Sequence, residues 1–411
     1  MNGYLIFILC FMLGHFLLDC VVDVLNMNSA SIEVPDEFKD VYDKNKYAKA
    51  QQYLKNNTCY GWVKGTFMLL LTLLFILTGG FNLLDEWVRS WGWGSVTTGL
   101  GYLGILTLAL TVLGLPFSYY RTFVLEEKYG FNKTTHRTFV MDVLKGLVLS
   151  ALLGLPVLAL ILWFFEATGT YSWIYCWGFV TVFQLVMSFL APIVIMPLFN
   201  KFTPLEEGEL KSEIEHYAQE YHFAMSGVFT MDGSKRSSKS NAFFTGFGKL
   251  RRIVLFDTLI EKHTVKELVA VLAHEMGHCQ KKHILKSTLI SIASSGITFW
   301  ILAQFLNHPG LFEAFQMKHL SIYASLIFFS MIYAPIELLL GVGGAILSRK
   351  HEFEADRYSV ETYGEAQAMI DALKKLSVDN LSNLTPHPLK VFLEYSHPPV
   401  LERIRTIQTL M

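Results

Sequence analysis

The sequence predicts an α-helical, polytopic membrane protein that also carries a polar domain of mixed α+β structure. Of its 411 residues, 52% are hydrophobic and only 17% are charged, whereas soluble globular domains carry about 25% charged residues. Seven stretches are long and apolar enough to cross a bilayer, which takes about 20 residues. Two further segments, 199–285 and 348–411, are polar and charged. These observations exclude an ordinary soluble domain.

The predicted membrane spans are separated by short connections along most of the chain. They lie at roughly 3–25, 63–83, 98–120, 142–166, 172–198, 286–306 and 321–347. The first stretch lacks a preceding basic region and a following small-residue cleavage site. A retained span is therefore favoured over a cleaved signal peptide.

The distribution of basic residues predicts the orientation of these spans. Eleven lysines and arginines lie in segments 28–64 and 121–145, against two in the alternating loops 83–97, 167–171 and 307–320. Loops rich in Lys and Arg stay in the cytoplasm. We therefore expect the N-terminus to face outside and both polar segments to face the cytoplasm.

The chain is expected to form two domains. Residues 1–205 form a membrane domain with five transmembrane helices, and residues 206–411 form the polar domain, with spans six and seven inserted at about 286–347. The net charge of -1 offers no basic excess, so nucleic acid is not an expected partner.

The segment "HTVKELVAVLAHEMGHCQKKH" in the first polar segment predicts a metal-binding helix. Thr264, with Glu267 three residues later, forms a capping box that starts the helix. His274 and His278 are one turn apart on the same face, so both imidazoles can reach one zinc ion. Glu275 is rotated aside from that pair, as in the zincin arrangement H-E-x-x-H.

A zinc site of this kind needs a third protein ligand and keeps its fourth position open. His283 follows His278 by five residues, which departs from the spacing in which a third histidine of the same segment binds. His351 is possible. Glu352 and Asp356 are better placed, because they are four apart on a predicted helix. One carboxylate can bind the metal while the other accepts a hydrogen bond from a ligand histidine.

Long motifs in the correct order give the chain a family resemblance. They are "HEMGH", "HEFEAD" and "YSHPPVLERI", together with "EEKYGFNKTT", "APIVIMPLFNKFTPL" and "SSKSNAFFTGFGKLRRIVLFDTLI". With these motifs the sequence resembles the integral-membrane zinc endoproteases of the type I CAAX prenyl protease family over nearly its whole length.

The resemblance implies seven helices that enclose a hydrated chamber, with a zincin-like metalloprotease domain and a zinc site at its cytoplasmic side. It implies one Zn²⁺ held by His274, His278 and Glu352. Glu275 would be the catalytic glutamate, and Asp356 would support a ligand histidine.

The resemblance also assigns residues that act on the substrate. His397 and Asn241 would stabilise the developing oxyanion, Asn241 and Ala242 would contact the bound peptide, and Arg403 could meet a substrate carboxylate. Independently of the resemblance, "NAFFTGF", a "GKLRR" turn and "IVLFDTLI" are typical of a β-hairpin. Its open edge could hold an extended peptide by strand addition.

The expected activity is hydrolysis near the C-terminus of a prenylated or membrane protein that stays in the lipid bilayer. Two alternatives remain open at this point. One is a membrane quality-control zinc protease that cleaves misfolded or unprenylated proteins, and the other is a transporter or channel with a structural zinc ion. The expected location is the endoplasmic reticulum membrane in a eukaryote or the inner membrane in a bacterium. The oligomeric state is not predicted.

Overall fold

A computed structural model describes residues 2–31, 33–246 and 251–411. Within that part of the chain, seven helical segments are long and apolar enough to cross a membrane, as the sequence predicts. They are Gly3–Ser29, Lys44–Leu77, Ser95–Glu126, His136–Ala167, Gly169–Phe199, His283–Phe305 and Ile322–Tyr363.

The strands of the described residues all lie in the first polar segment, and the remaining elements are helices. The α-helices are α1 (Gly3–Ser29), α2 (Lys44–Leu77), α3 (Gly80–Arg89), α4 (Ser95–Tyr120), α5 (His136–Ala167), α6 (Ser172–Leu190), α7 (Met196–Phe199), α8 (Glu209–Glu220), α9 (Asp257–Ile260), α10 (Val265–Gln280), α11 (His283–Phe305), α12 (Pro309–Ala314), α13 (Ile322–Tyr363), α14 (Ala366–Asp379), α15 (Pro388–Glu394) and α16 (Val400–Gln408). The strands are β1 (Phe202–Pro204), β2 (Gly227–Met231), β3 (Ala242–Thr245) and β4 (Arg252–Phe256).

The second span differs from its predicted bounds of 63–83. Helix α2 begins at Lys44, because the polar residues before the apolar stretch continue the same helix. It ends at Leu77, and Gly79 then adopts a left-handed φ of 70° before α3 begins. The residues after Gly79 therefore belong to a separate short helix. Hydropathy locates the apolar part of a helix, whereas backbone geometry decides where the helix ends.

The membrane spans pack loosely against one another. In the most apolar 18-residue stretch of each span, between 0% and 17% of the residues are buried within the protein. A helix in a packed bundle buries a stripe at least about 100° wide. Most residues of these stretches are therefore accessible at the surface of the protein rather than buried within a packed bundle.

The connections between the spans gather at two opposite ends of the molecule. At one end, Asn2 donates to the carbonyl of Gly310, and Lys318 N donates to the side chain of Asn82. At the other end, Ser29 donates to the carbonyl of Thr385. The segments expected on one side of the membrane therefore lie together.

The polar domain is built around a four-stranded sheet in the order β1-β2-β4-β3. Strands β2 and β4 are parallel, and both outer strands are antiparallel to their neighbours. The antiparallel β3–β4 pairing confirms the predicted hairpin up to Phe256, whereas "DTLI" of the predicted second strand forms α9 instead. Residues 247–250 of the predicted turn lie outside the described residues. Strand β3 is at the edge of this sheet. The sheet packs on α8 and α10 through a buried cluster that includes Ile214, Val228, Ile253, Leu255, Leu268, Leu272 and Met276.

Candidate metal centre

The helix that carries the two motif histidines starts with the predicted capping box. The Thr264 side chain accepts a hydrogen bond from Glu267 N at 3.3 Å, and Thr264 N donates to the Glu267 carboxylate at 3.1 Å. Lys375 of α14 pairs with the same carboxylate at 2.7 Å. The helix is therefore anchored at its N-terminus, ten residues before the first histidine of the motif.

Three side chains from two helices converge at the centre of the site. His274 Nε2 and His278 Nε2 are 3.2 Å apart on α10. From α13, Glu352 Oε2 lies 3.5 Å from His274 Nε2, and Glu352 Oε1 lies 3.3 Å from His278 Nε2. The three residues form a group that could hold a metal ion, with their ligand atoms within 4.8 Å of one another.

Small residues bring α13 close enough to α10 for this convergence. A Cβ on Gly277 would lie 3.1 Å from Ala355 Cα. Farther along the same pair of helices, Ser359 Oγ donates to the carbonyl of Ala270 at 2.8 Å. The carboxylate of Glu352 reaches the two imidazoles because the backbones of α10 and α13 pack closely together.

The hydrogen bonds around His274 leave the lone pair of its Nε2 facing the centre of the group. His274 Nδ1 lies 2.8 Å from Asp356 Oδ1, and Arg403 donates two hydrogen bonds to the same carboxylate at 2.8 Å and 2.6 Å. A carboxylate paired with arginine accepts hydrogen bonds, so His274 Nδ1 carries the proton and Nε2 in the neutral ring does not.

Glu352 Oε2 is buried and accepts no hydrogen bond from the residues that the structure describes, although Arg403 Nη1 lies 3.4 Å away. A cation placed among two imidazole nitrogens and this oxygen would satisfy all three atoms. The surroundings favour positive charge: burial opposes the imidazolium form of His274, yet the neighbouring carboxylates of Asp356 and Glu352 outweigh it and raise the pKa of His274 to about 9. The residues present therefore fit a metal ion.

Glu275 lies beside this group rather than within it. Burial raises the pKa of its carboxyl above the ordinary value, and the neighbouring His274 and His278 imidazoles oppose that rise. Its carboxylate accepts no hydrogen bond from the described part of the chain. With His278 and Phe244 it lines a pocket of about 510 Å³. A carboxyl group with a raised pKa that is free of partners is suited to proton transfer.

The edge strand β3 reaches the same pocket through Phe243 and Phe244. Asn241 immediately precedes this strand and is exposed, and its side-chain oxygen accepts a hydrogen bond from Ala242 N at 2.9 Å. The roles expected for Asn241 and Ala242 in substrate binding stay predictions.

His397 approaches the metal group from the connection between α15 and α16. Its Nε2 lies 3.4 Å from Glu352 Oε1, and its side chain is 63% exposed. Sequence reasoning missed the residue that holds this segment, Arg349. Arg349 Nη1 donates to the carbonyls of Val391 at 2.9 Å and Tyr395 at 2.6 Å. Its position three residues before Glu352 was the available signal, since residues i and i+3 share a helix face.

Arg403 is buried, and its described contacts are made within the site. Besides its two bonds to Asp356, its Nη1 lies 3.4 Å from Glu352 Oε2. These contacts tie the C-terminal helix α16 to α13. The expected role of Arg403 in meeting a substrate carboxylate stays a prediction.

His283 and His351, the other histidines weighed as third ligands, stack on each other with ring centroids 3.9 Å apart. Neither belongs to the group that could hold a metal ion.

Comparisons with known proteins cover both parts of the chain. Residues 23–201 match the family described as CAAX prenyl protease N-terminal, five membrane helices, and residues 204–411 match peptidase family M48. The chain is 34% identical to the CAAX prenyl protease 1 homolog of Homo sapiens, covering 92% of this chain and 89% of that protein. It is 34% identical to CAAX prenyl protease 1 of Saccharomyces cerevisiae, covering 91% and 88%. The crystal structure of S. mikatae Ste24p is 32% identical and covers 99% of each chain with a TM-score of 0.94.

Proposed function

Because the chain belongs to peptidase family M48, with the membrane domain of the CAAX prenyl proteases, it is an integral-membrane metalloendopeptidase, and we propose that it uses zinc to hydrolyse peptide bonds near the C-terminus of prenylated CAAX-type proteins. The observation that carries the proposal is the convergence of His274, His278 and Glu352, whose buried Oε2 accepts no hydrogen bond from the described part of the chain.

The geometry of the three ligand atoms supports zinc as the metal. A tetrahedral ion with bonds of about 2.0–2.1 Å holds its ligand atoms roughly 3.3–3.4 Å apart. Here the two imidazole nitrogens are 3.2 Å apart, and each lies near one oxygen of the Glu352 carboxylate, His278 Nε2 at 3.3 Å from Oε1 and His274 Nε2 at 3.5 Å from Oε2. Two imidazoles with one carboxylate are also a donor set that catalytic zinc sites use. We assign His274, His278 and Glu352 as the ligands of one Zn²⁺ ion.

The protein's own residues supply proton transfer and charge stabilisation. A bound zinc ion would supply Lewis-acid chemistry at the scissile carbonyl and lower the pKa of water. Glu275 takes the proton of the attacking water and then delivers it to the leaving amine. His397 and Asn241 donate hydrogen bonds to the oxygen on which negative charge develops. Asp356 holds His274 in the tautomer that leaves Nε2 free.

The edge of β3 is the proposed binding surface for the peptide. An extended peptide can pair with the free edge of a strand through its main chain, and β3 leads into the pocket beside Glu275. This arrangement requires no particular substrate side chain, which suits a peptidase whose substrates share a lipid rather than a long sequence.

The location of the site follows from the proposed substrate. A lipid attached to a cysteine contributes about 0.8 kcal/mol per buried methylene to membrane binding, so such a substrate stays at the bilayer. We propose that the site faces the cytoplasm, as the basic loops predict. The membrane is that of the endoplasmic reticulum in a eukaryotic cell or the inner membrane in a bacterial one.

The role of Glu275 is tested by Glu275→Gln in the purified full-length protein. The variant should retain zinc by elemental analysis and lose about 10²–10⁴-fold in peptide hydrolysis, because the amide cannot accept a proton. Glu361→Gln is the matched control, since Glu361 is exposed and pairs with Arg357 on the outer part of α13. Turnover within a few-fold of the unmodified enzyme in the Glu275 variant would exclude the assigned role.

The substrate class is tested with a synthetic farnesylated CAAX peptide and its unmodified twin, each with and without a chelator. Faster cleavage of the farnesylated peptide, abolished by the chelator, is expected. Equal rates on both peptides would favour the quality-control alternative, and cleavage that survives the chelator would contradict the metal mechanism.

A further inference from the structure

A second line of polar side chains runs outward from His278 through residues to which the proposed mechanism gives no role. His278 Nδ1 lies 3.1 Å from His283 Nδ1, and His283 Nε2 lies 2.9 Å from Glu354 Oε2. The side chain of His283 is only 3% exposed. We propose that His283 is a positioning residue for the metal centre that holds the ring of His278 through this line, an inference that rests on the proposed zinc site.

The carboxylate of Glu354 determines which nitrogens of His283 and His278 carry protons. Glu354 as a carboxylate accepts hydrogen bonds, so His283 carries its proton on Nε2 and presents a lone pair at Nδ1. That lone pair accepts the proton on His278 Nδ1. His278 Nε2 is then left without a proton and faces His274 Nε2 and Glu352. The line therefore sets the tautomer that a metal ligand needs.

The two ligand histidines thus have different supports. His274 is held by Asp356 directly, at 2.8 Å. His278 is held through a second imidazole, whose ring stacks on His351 at 3.9 Å with an interplanar angle of 8°. Glu354 lies two residues after Glu352 on the same helix, so α13 supplies both a ligand and the outer support.

Backbone geometry places His283 for this contact. Lys282, between α10 and α11, adopts a positive φ of 58°, and His283 is the first residue of α11. The turn folds the start of the sixth membrane span back onto the metal helix. Both nitrogens of His283 are engaged, one with His278 and one with Glu354, so this residue has no lone pair left for a metal ion.

The inference is tested by the zinc dissociation constant of the full-length protein in detergent, measured by competition with a chromophoric chelator. His283→Phe removes the acceptor for His278 but keeps a ring that can stack on His351. We expect this variant to bind zinc about 10- to 100-fold more weakly, the usual effect of losing such a partner. His283→Asn, whose side-chain oxygen can replace Nδ1 as the acceptor, should bind within about threefold of the unmodified protein.

His351→Phe is the control for packing, because it preserves the stack and leaves the hydrogen-bonded line intact. Equal weakening in the His283→Phe and His351→Phe variants would overturn the proposal in favour of simple packing, and so would unchanged zinc binding by His283→Phe. Should His283→Phe fail to fold, Glu354→Leu replaces it, since its partly exposed side chain can be changed with less disturbance. Zinc binding by Glu354→Leu equal to that of the unmodified protein would also overturn the proposal.

The absorption spectrum of the cobalt-substituted protein provides a second readout. A change in its ligand-field bands in His283→Phe, restored in His283→Asn, is expected from a reoriented His278 ring. Failure of the unmodified protein to bind zinc at all would overturn both this inference and the proposed metal site. Normal binding with an unaffected His283→Phe variant would overturn this inference alone.

Discussion

The closest approach of the two metal-binding helices predicts the effect of a single added methyl group. Gly277 lies between the motif residues His274 and His278, and Gly277→Ala would place a Cβ 3.1 Å from Ala355 Cα and 3.2 Å from the carbonyl oxygen of Ala355. Both atoms belong to the backbone, so no side-chain rotation can remove the overlap. The helices α10 and α13 have to move apart.

The size of that movement can be compared with the tolerance of the metal site. Carbon atoms in ordinary contact lie about 3.5–4.0 Å apart, so relief of the overlap requires a separation of about 0.4 Å or more. Metal–ligand distances hold within about 0.2 Å. Overpacking costs about 1–3 kcal/mol. If all of this free energy opposes zinc binding, zinc affinity falls by roughly 5- to 140-fold.

Global stability should change less than zinc affinity in this variant. Alanine is favoured over glycine in a helix by about 1 kcal/mol, which offsets part of the overlap. The assay is the zinc dissociation constant by chelator competition, together with the thermal midpoint of unfolding. Gly344→Ala on α13 is the control, because its added Cβ meets nothing within 4 Å. Unchanged zinc affinity in Gly277→Ala would refute the argument that helix contact sets the ligand geometry.

Two further predictions concern the supports of the site. Arg349→Met removes the hydrogen bonds to the segment before His397. We expect this variant to show about 10- to 100-fold lower kcat with normal zinc content, and exposed Lys350→Met is its control. A loss of zinc in Arg349→Met would contradict this prediction. Lys390→Met removes the ion-pair partner of Asp23 of α1 at 2.7 Å, while Trp62 still donates to Asp23, and should cost about 1–3 kcal/mol, read from unfolding in detergent. Adding Asp23→Asn to Lys390→Met should recover most of the lost stability. Equal instability of the single and the double variant would show that the Lys390–Asp23 ion pair is not the cause.

Local patterns in the sequence were sufficient for the helices and their chemistry. The number of spans follows from runs of apolar residues, which a bilayer requires wherever they lie in the chain. The placement of His274 and His278 on one face follows from the helical period, and the start of their helix follows from Thr264 and Glu267. Each of these features depends on residues a few positions apart, where backbone geometry is the same in every protein.

Sequence spacing alone left open which carboxylate of the second motif faces the metal. Glu352 and Asp356 share a helix face, and the family resemblance assigned Glu352 as the ligand. The structure places Glu352 between the imidazoles and Asp356 behind His274. That choice depends on the crossing of two helices whose contact residues, Gly277 and Ala355, lie far apart in the chain.

What the sequence by itself determined about this protein was therefore the set of membrane helices, the metal-binding helix and the type of chemistry it carries. Only the tertiary structure decided that Arg403 pairs with Asp356, that Arg349 holds the segment of His397, and that His283 stands behind His278. The physical reason is that these contacts join segments whose relative positions come from packing. Packing depends on the shapes of surfaces that no local period encodes.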